Sequence, residues 1–163
     1  MATWGFHAKF PNRTEIGAKK FLAKGVVGIG WAGAGDLKEY PNDVAPFRRC
    51  IAENIDRDAD WASPSSLQGM ITKWGNLLHA FVHEIKPGDI VLLHTIFDDA
   101  VQRGHVTGPY YYDGTFDEEY QHLRKVVWEK RYPCAALSDA DLKSVRGQMS
   151  FFRIATCPAA LLA

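Results

Sequence analysis

The chain has 163 residues, 47% of them hydrophobic and 12% aromatic, which favours one domain with a real core and argues against disorder. Its 19 basic and 19 acidic residues cancel, so no strong overall field would hold it on a polyanion or an anionic membrane. Any nucleic-acid contact must then come from a local basic face, a specific pocket or a neighbouring domain.

Met1 to Phe6 carries no charged leader ahead of an apolar stretch, and no segment approaches the roughly 20 apolar residues that span a bilayer, so neither secretion nor membrane insertion is expected. Cys50, Cys134 and Cys157 are odd in number and contain no Cys-x-x-Cys. That speaks against a disulfide framework and a cysteine zinc site, and for a cytoplasmic setting. There is no internal repeat and no low-complexity linker, so residues 1–163 read as one unit.

Thr3 to Lys9 alternates as a first strand, and Asn12 is placed to cap a short helix over about residues 14–23 that Gly25 ends. Val26 to Trp31 follows as a buried strand whose glycines permit close backbone approach. Residues 42–54 suit a helix capped by Asn42 or Asp43 that buries Val44, Phe47, Cys50 and Ile51. A longer helix fits 65–84, where Leu67, Met70, Ile71, Trp74, Leu77, Leu78, Phe81 and Val82 recur at helical spacing. Pro87-Gly-Asp89 ends it and leads into the strand Ile90 to Ile96, followed by strands at about 101–107, 121–131 and 149–155. Helices cluster between the first strands and a later strand-rich half, an α+β pattern with a partly closed sheet.

Taken in order, Gly28-Ile-Gly-Trp31, Lys86-Pro-Gly-Asp89, Gly104-x-Val106 and Leu123-Arg-x-Val126-x-Trp128 resemble the PUA-like superfamily. Within it the likeness is to EVE and YTH domains, and is strongest to the variant found at the N-terminus of modification-dependent restriction systems. The resemblance implies a PUA-like partly closed β-barrel with flanking helices, and a ligand that is a modified base in nucleic acid. DNA is the first candidate and RNA the second.

A base taken out of its stack loses a few kcal/mol and must recover it between aromatic faces while polar groups read its edge. An added methyl contributes only about 1 kcal/mol of apolar burial, so a tight cage is needed. In YTH-type relatives a tryptophan at the end of the early strand forms one wall, and Trp31 stands at the matching position, beside Gly30 and Ala32. A second wall in those relatives comes from the loop between the Gly-x-Val and Arg-x-Val-x-Trp strands. Here the family tryptophan is missing from that loop, and Tyr110, Tyr111, Tyr112 and Phe116 are the candidate substitutes. Asp36 is placed to accept from an exocyclic amine, or to serve a turn. For the phosphate backbone the candidates are Arg103, Arg124, Lys125, Lys130 and Arg131, with Lys19, Lys20 and Lys24 as a second cluster. Arg124 and Lys125 fall on opposite faces of one strand, which breaks any continuous strip.

Catalysis, a cofactor and a metal are not expected. His79 and His83 stand four apart on a helix but lack a His-Glu-x-x-His arrangement. The glycine-rich segment from Gly25 to Gly35 lacks the Lys-Ser/Thr of a phosphate-binding loop. The expectation is therefore a modified-base reader, with cleavage or translocation supplied by a nuclease or NTPase elsewhere in a longer defence protein or by a separate effector. Two rivals are a protein-interaction module with Trp31 and the tyrosines in its core, and a small hydrolase or RNA-processing enzyme using His94 with Asp98 or Asp99.

Overall fold

The longest pairing in the molecule is the hairpin of β4 (Ala100–Tyr112) and β5 (His122–Pro133), whose register runs from Ala100 opposite Pro133 to Tyr112 opposite His122. Two shifts interrupt it, between Arg103 and Gly104 and between Val106 and Tyr110. Extra residues on one strand of an antiparallel pair bend and twist it, which curls a long hairpin instead of leaving it flat. At Gly104 a Cβ would lie 2.6 Å from the carbonyl oxygen of Val127, so only glycine permits the close approach of the two backbones there.

A computed structural model describes residues 1–8, 14–58, 63–147 and 149–162. The remaining strands are β1 (Thr3–Phe6), β2 (Val26–Ile29), β3 (Ile90–Thr95) and β6 (Phe151–Ile154). They join the hairpin in one six-stranded sheet of order β2-β5-β4-β3-β1-β6. The sheet curls as a half-barrel. Only β1 and β3 run parallel among these pairs. A parallel neighbour requires a long crossover, and the segment between them supplies α1 (Thr14–Lys24), β2, α2 (Val44–Asn54) and α3 (Pro64–His79). The architecture is α+β, as the residue pattern suggested.

All six residues of β3 are buried, so both faces of the sheet are covered there. Val91 and Leu93 point into the main core with Phe6, Phe21, Phe47, Phe81 and Leu78, whereas Ile90 and Leu92 join a smaller cluster with Val101, Val145 and Leu161. Helix α4 (Asp139–Val145) contributes Val145 to the second cluster. Its start is fixed by a reciprocal pair of hydrogen bonds between Ser138 and Asp141.

Several element boundaries differ from the sequence expectations. The Asn12 cap lies outside the described residues. Asp43, not Asn42, caps α2 by accepting from the Ala45 N–H at 3.1 Å. The 65–84 helix is helical throughout, but its last turn, Ala80–Glu84, is widened, closing with Ile85 N–H to the Ala80 carbonyl. The strand expected over 101–107 continues to Tyr112, so the three tyrosines belong to β4 and not to a loop. Tyrosine suits a pleated, half-buried surface, and pairing with Leu123 and His122 carries the strand past Pro109.

Candidate functional site

A cleft of about 590 Å³ opens where three segments meet. The chain after β2 supplies Asp36 and Lys38; the end of α3 and the following turn supply Val82, His83, Ile85 and Pro87. Pro109 to Tyr112 of β4 and Arg124 of β5 complete the lining. Asp36, Tyr110, Tyr111, Tyr112 and Arg124, all singled out from the sequence, are thereby brought together.

Beside the cleft runs a hydrogen-bonded chain whose proton positions follow from its ends. The Trp31 carbonyl can only accept, so His122 Nε2, 2.9 Å away, carries the proton. Nδ1 of the neutral ring then accepts from the Tyr110 hydroxyl at 2.9 Å, and the Tyr110 oxygen accepts from the Leu37 N–H at 3.1 Å. Burial pushes the Tyr110 hydroxyl pKa up, and the nearby Asp36 charge pushes the same way. Burial also lowers the His122 pKa, against the opposing pull of the Trp31 carbonyl and Asp36. Both groups are held neutral.

Trp31 is half-buried and does not line the cleft; its ring packs against Trp74 with centroids 4.8 Å apart. Its φ of 70° is in the left-handed region that a bulky residue rarely adopts. Two hydrogen bonds to its carbonyl, from Ala34 N–H and His122 Nε2, hold that conformation. Such a backbone costs on the order of 1–3 kcal/mol and is characteristic of functional sites. Through His122 the Trp31 backbone is one imidazole away from Tyr110, and the same ring contacts Tyr112 at 5.5 Å. Gly30 is buried, and Ala32 begins a single 3-10 turn. Phe116 does not line the cleft either; it lies under Lys20, whose ammonium is 6.0 Å from its ring centroid. Asp36 is exposed and accepts from Lys38 N–H at 3.0 Å, so it has a turn role at the rim.

Arg124 is not a surface phosphate contact. It is 3% exposed, and its guanidinium donates to the carbonyls of Phe81, Val82 and Gly108. Two of these carbonyls belong to the last turn of the α3 region, where helix carbonyls lack intrahelical partners, so Arg124 caps that helix from the sheet. Burial draws its pKa down to about 10, while the Asp89 charge opposes the shift.

The other basic candidates do not form a strip. Arg103 pairs with Glu129, and Arg131 with both the carboxylate and the carbonyl of Asp98. Lys125 and Lys130 are exposed on β5, the latter 4.9 Å above the Tyr132 ring. In the second cluster Lys19 pairs with Glu15 and Lys20 with Asp117. His79 and His83 each use Nε2 elsewhere, on Asn42 Oδ1 at 2.8 Å and the Tyr40 carbonyl at 2.9 Å, and do not converge on a metal.

Lys38, His83, Ile85, Pro87, Pro109 and His122 were not anticipated as site residues. For His122 a signal existed: it shares a strand face with Arg124 and Val126, and all three are buried.

No helix among the described residues is long and apolar enough to cross a membrane. The family described as "Domain of unknown function (DUF8426)" matches residues 11–154, and the chain belongs to it. No curated protein and no solved structure matches the chain.

Proposed function

We propose that the chain is a PUA-like reader of the EVE/YTH kind, which takes a modified base of a nucleic acid, DNA before RNA, into the cleft between Asp36, His83 and Tyr110–Tyr112. The observation that carries this reading is the convergence of tyrosines, prolines and a carboxylate on one open cleft of about 590 Å³, ample for a base and its sugar. Tyr111 and Tyr112 are only half-buried and offer aromatic faces on which a flat ligand can stack. Asp36 and His83 line the cleft, where they would read an exocyclic amine or a ring edge. The buried Tyr110–His122–Trp31 chain preorganises that wall before a ligand arrives.

Most of the basic side chains named for the phosphate backbone are already paired, so affinity would come from the pocket more than from phosphates. This fits a cytoplasmic module that selects a target and leaves cleavage or translocation to a nuclease or NTPase effector.

The test is fluorescence polarisation of short DNA and RNA strands at physiological salt, unmodified or carrying N6-methyladenine, 5-methylcytosine or 5-hydroxymethylcytosine. Preference for one modified strand is the expected result. Absence of binding to every strand by the folded protein would overturn the reading and favour a protein-interaction module.

A further inference from the structure

Beside the β3–β4 turn, at the edge of the smaller core to which Cys134 belongs, three side chains of metal-binding type come together from separate parts of the chain. His94 lies near the end of β3, Asp99 in the turn before β4, and Cys134 just after β5. One ligand atom of each lies within 4.8 Å of the other two. We propose that His94, Asp99 and Cys134 bind a divalent transition-metal ion of the zinc type. This departs from the expectation of no metal.

The donor set is nitrogen, oxygen and sulfur, which selects zinc or a similar borderline ion over magnesium or calcium. Around tetrahedral zinc, metal–ligand bonds of about 2.0–2.3 Å place neighbouring donor atoms roughly 3.4–3.6 Å apart, so closure of the cluster by about 1 Å suffices. Asp99 is the member free to supply that movement, being exposed, whereas His94 and Cys134 are buried and fixed by the sheet. Asp99 holds a φ of 44°, a left-handed conformation that aspartate tolerates, in the turn that places it beside the other two.

Two details of the surroundings bear on the site. Nε2 of His94 is buried with no hydrogen-bond partner, and its ring is wedged edge-on against His7 with centroids 5.5 Å apart. A buried imidazole nitrogen left unpaired is costly unless something occupies it. The neighbouring Asp98 is already committed to Thr95 and Arg131, so it does not compete as a ligand. Arg146 is 3.6 Å from Asp99 and would be displaced on binding, while the Cys134 thiol proton leaves to solvent as the sulfur–metal bond forms. Three protein ligands leave a fourth position for water, the open arrangement of zinc sites that activate water, which brings His94 and Asp99 of the hydrolase reading into one chemistry.

The experiment is titration of the full, metal-free protein with Co²⁺, read by the near-ultraviolet thiolate-to-cobalt charge-transfer band and by displacement with Zn²⁺. One equivalent is expected to produce the band, Cys134→Ser to abolish it, and Cys50→Ser and Cys157→Ser to leave it intact. Asp99→Asn changes an exposed residue and should leave the fold unaltered by circular dichroism while weakening Zn²⁺ binding by about tenfold or more. Arg146→Ala should tighten it. No charge-transfer band from the folded wild type, or a band undiminished in both Cys134→Ser and Asp99→Asn, would overturn the site.

Discussion

The Tyr110 hydroxyl donates to Nδ1 of His122 across 2.9 Å, and this bond exists only while the imidazole is neutral. Protonation of Nδ1 would turn acceptor into donor and force the bond to reverse, leaving the Tyr110 hydroxyl proton to find another acceptor in a buried space. The same ring donates from Nε2 to the carbonyl of Trp31, so one buried histidine joins a wall of the cleft to the strained residue behind it.

Stability is therefore expected to fall on mild acidification. Burial holds the folded-state pKa of His122 below its unfolded value, so the unfolded chain binds more protons at intermediate pH. The stabilisation is fully present above the unfolded value of about 6.5 and is lost as pH drops from there towards the folded value. His94, lowered first by burial and then by Arg146, acts with the same sign. The lowered carboxylates Asp89, Asp98 and Asp113 stabilise the fold across this whole window and lose that contribution only as pH falls below about 4, so they do not confuse it. Urea midpoints at about pH 7.5 and about pH 5.5 check it: a lower midpoint at the acidic pH is expected, and equal midpoints would contradict the buried neutral ring.

Arg124→Met is expected to cost about 3 kcal/mol, because it strands the Phe81, Val82 and Gly108 carbonyls inside the protein. Lys125→Ala, one residue along on the exposed face, should change stability by less than about 0.5 kcal/mol. Chemical denaturation of the two variants separates a helix-capping arginine from a surface cation.

Asp89 ties the start of β1 to the turn before β3. Its carboxylate accepts from Ala2 N–H at 2.8 Å, Trp4 Nε1 at 3.0 Å and Lys86 N–H at 3.0 Å. Burial alone would raise its pKa, but the three donors outweigh burial and hold it below the usual carboxylate range. Asp89→Asn keeps the shape yet presents an amide to these N–H groups, and should destabilise by about 2 kcal/mol. A thermal melt compared with the wild type reads this loss, and Trp4 emission should shift as its indole N–H loses its partner.

Much of this architecture is legible in the residues because local signals agree with the final packing. The helical spacing from Leu67 to Phe81, the Asp43 cap and the apolar run from Ile90 each act within one element. Helix α4 was missed because only Val145 of its seven residues is buried, which leaves almost no apolar periodicity to see. The tyrosines were expected in a loop because the resemblance puts one between the Gly-x-Val and Arg-x-Val-x-Trp strands, whereas a register shift lets β4 continue through Gly108-Pro109. The cleft was only half legible: Asp36 and the tyrosines announce themselves as an acid and aromatics beside turns. His83 and Arg124, in contrast, gain their places from sheet order and from the turn after α3. An arginine in a sequence gives no sign that three carbonyls will enclose it. The same limit applies to His94, Asp99 and Cys134, whose proximity exists only once β3, β4 and β5 are paired.

The most direct measurement compares the affinity of the wild type, Asp36→Ala and Tyr111→Ala for one DNA strand with and without its preferred modified base, alongside the melting temperature of each protein. Tighter binding of the modified strand by the wild type is expected, with that preference lost in both variants while the exposed Asp36→Ala protein melts within a few degrees of the wild type. Equal affinity for modified and unmodified strands, or a preference that survives both substitutions, would contradict a base held in this cleft.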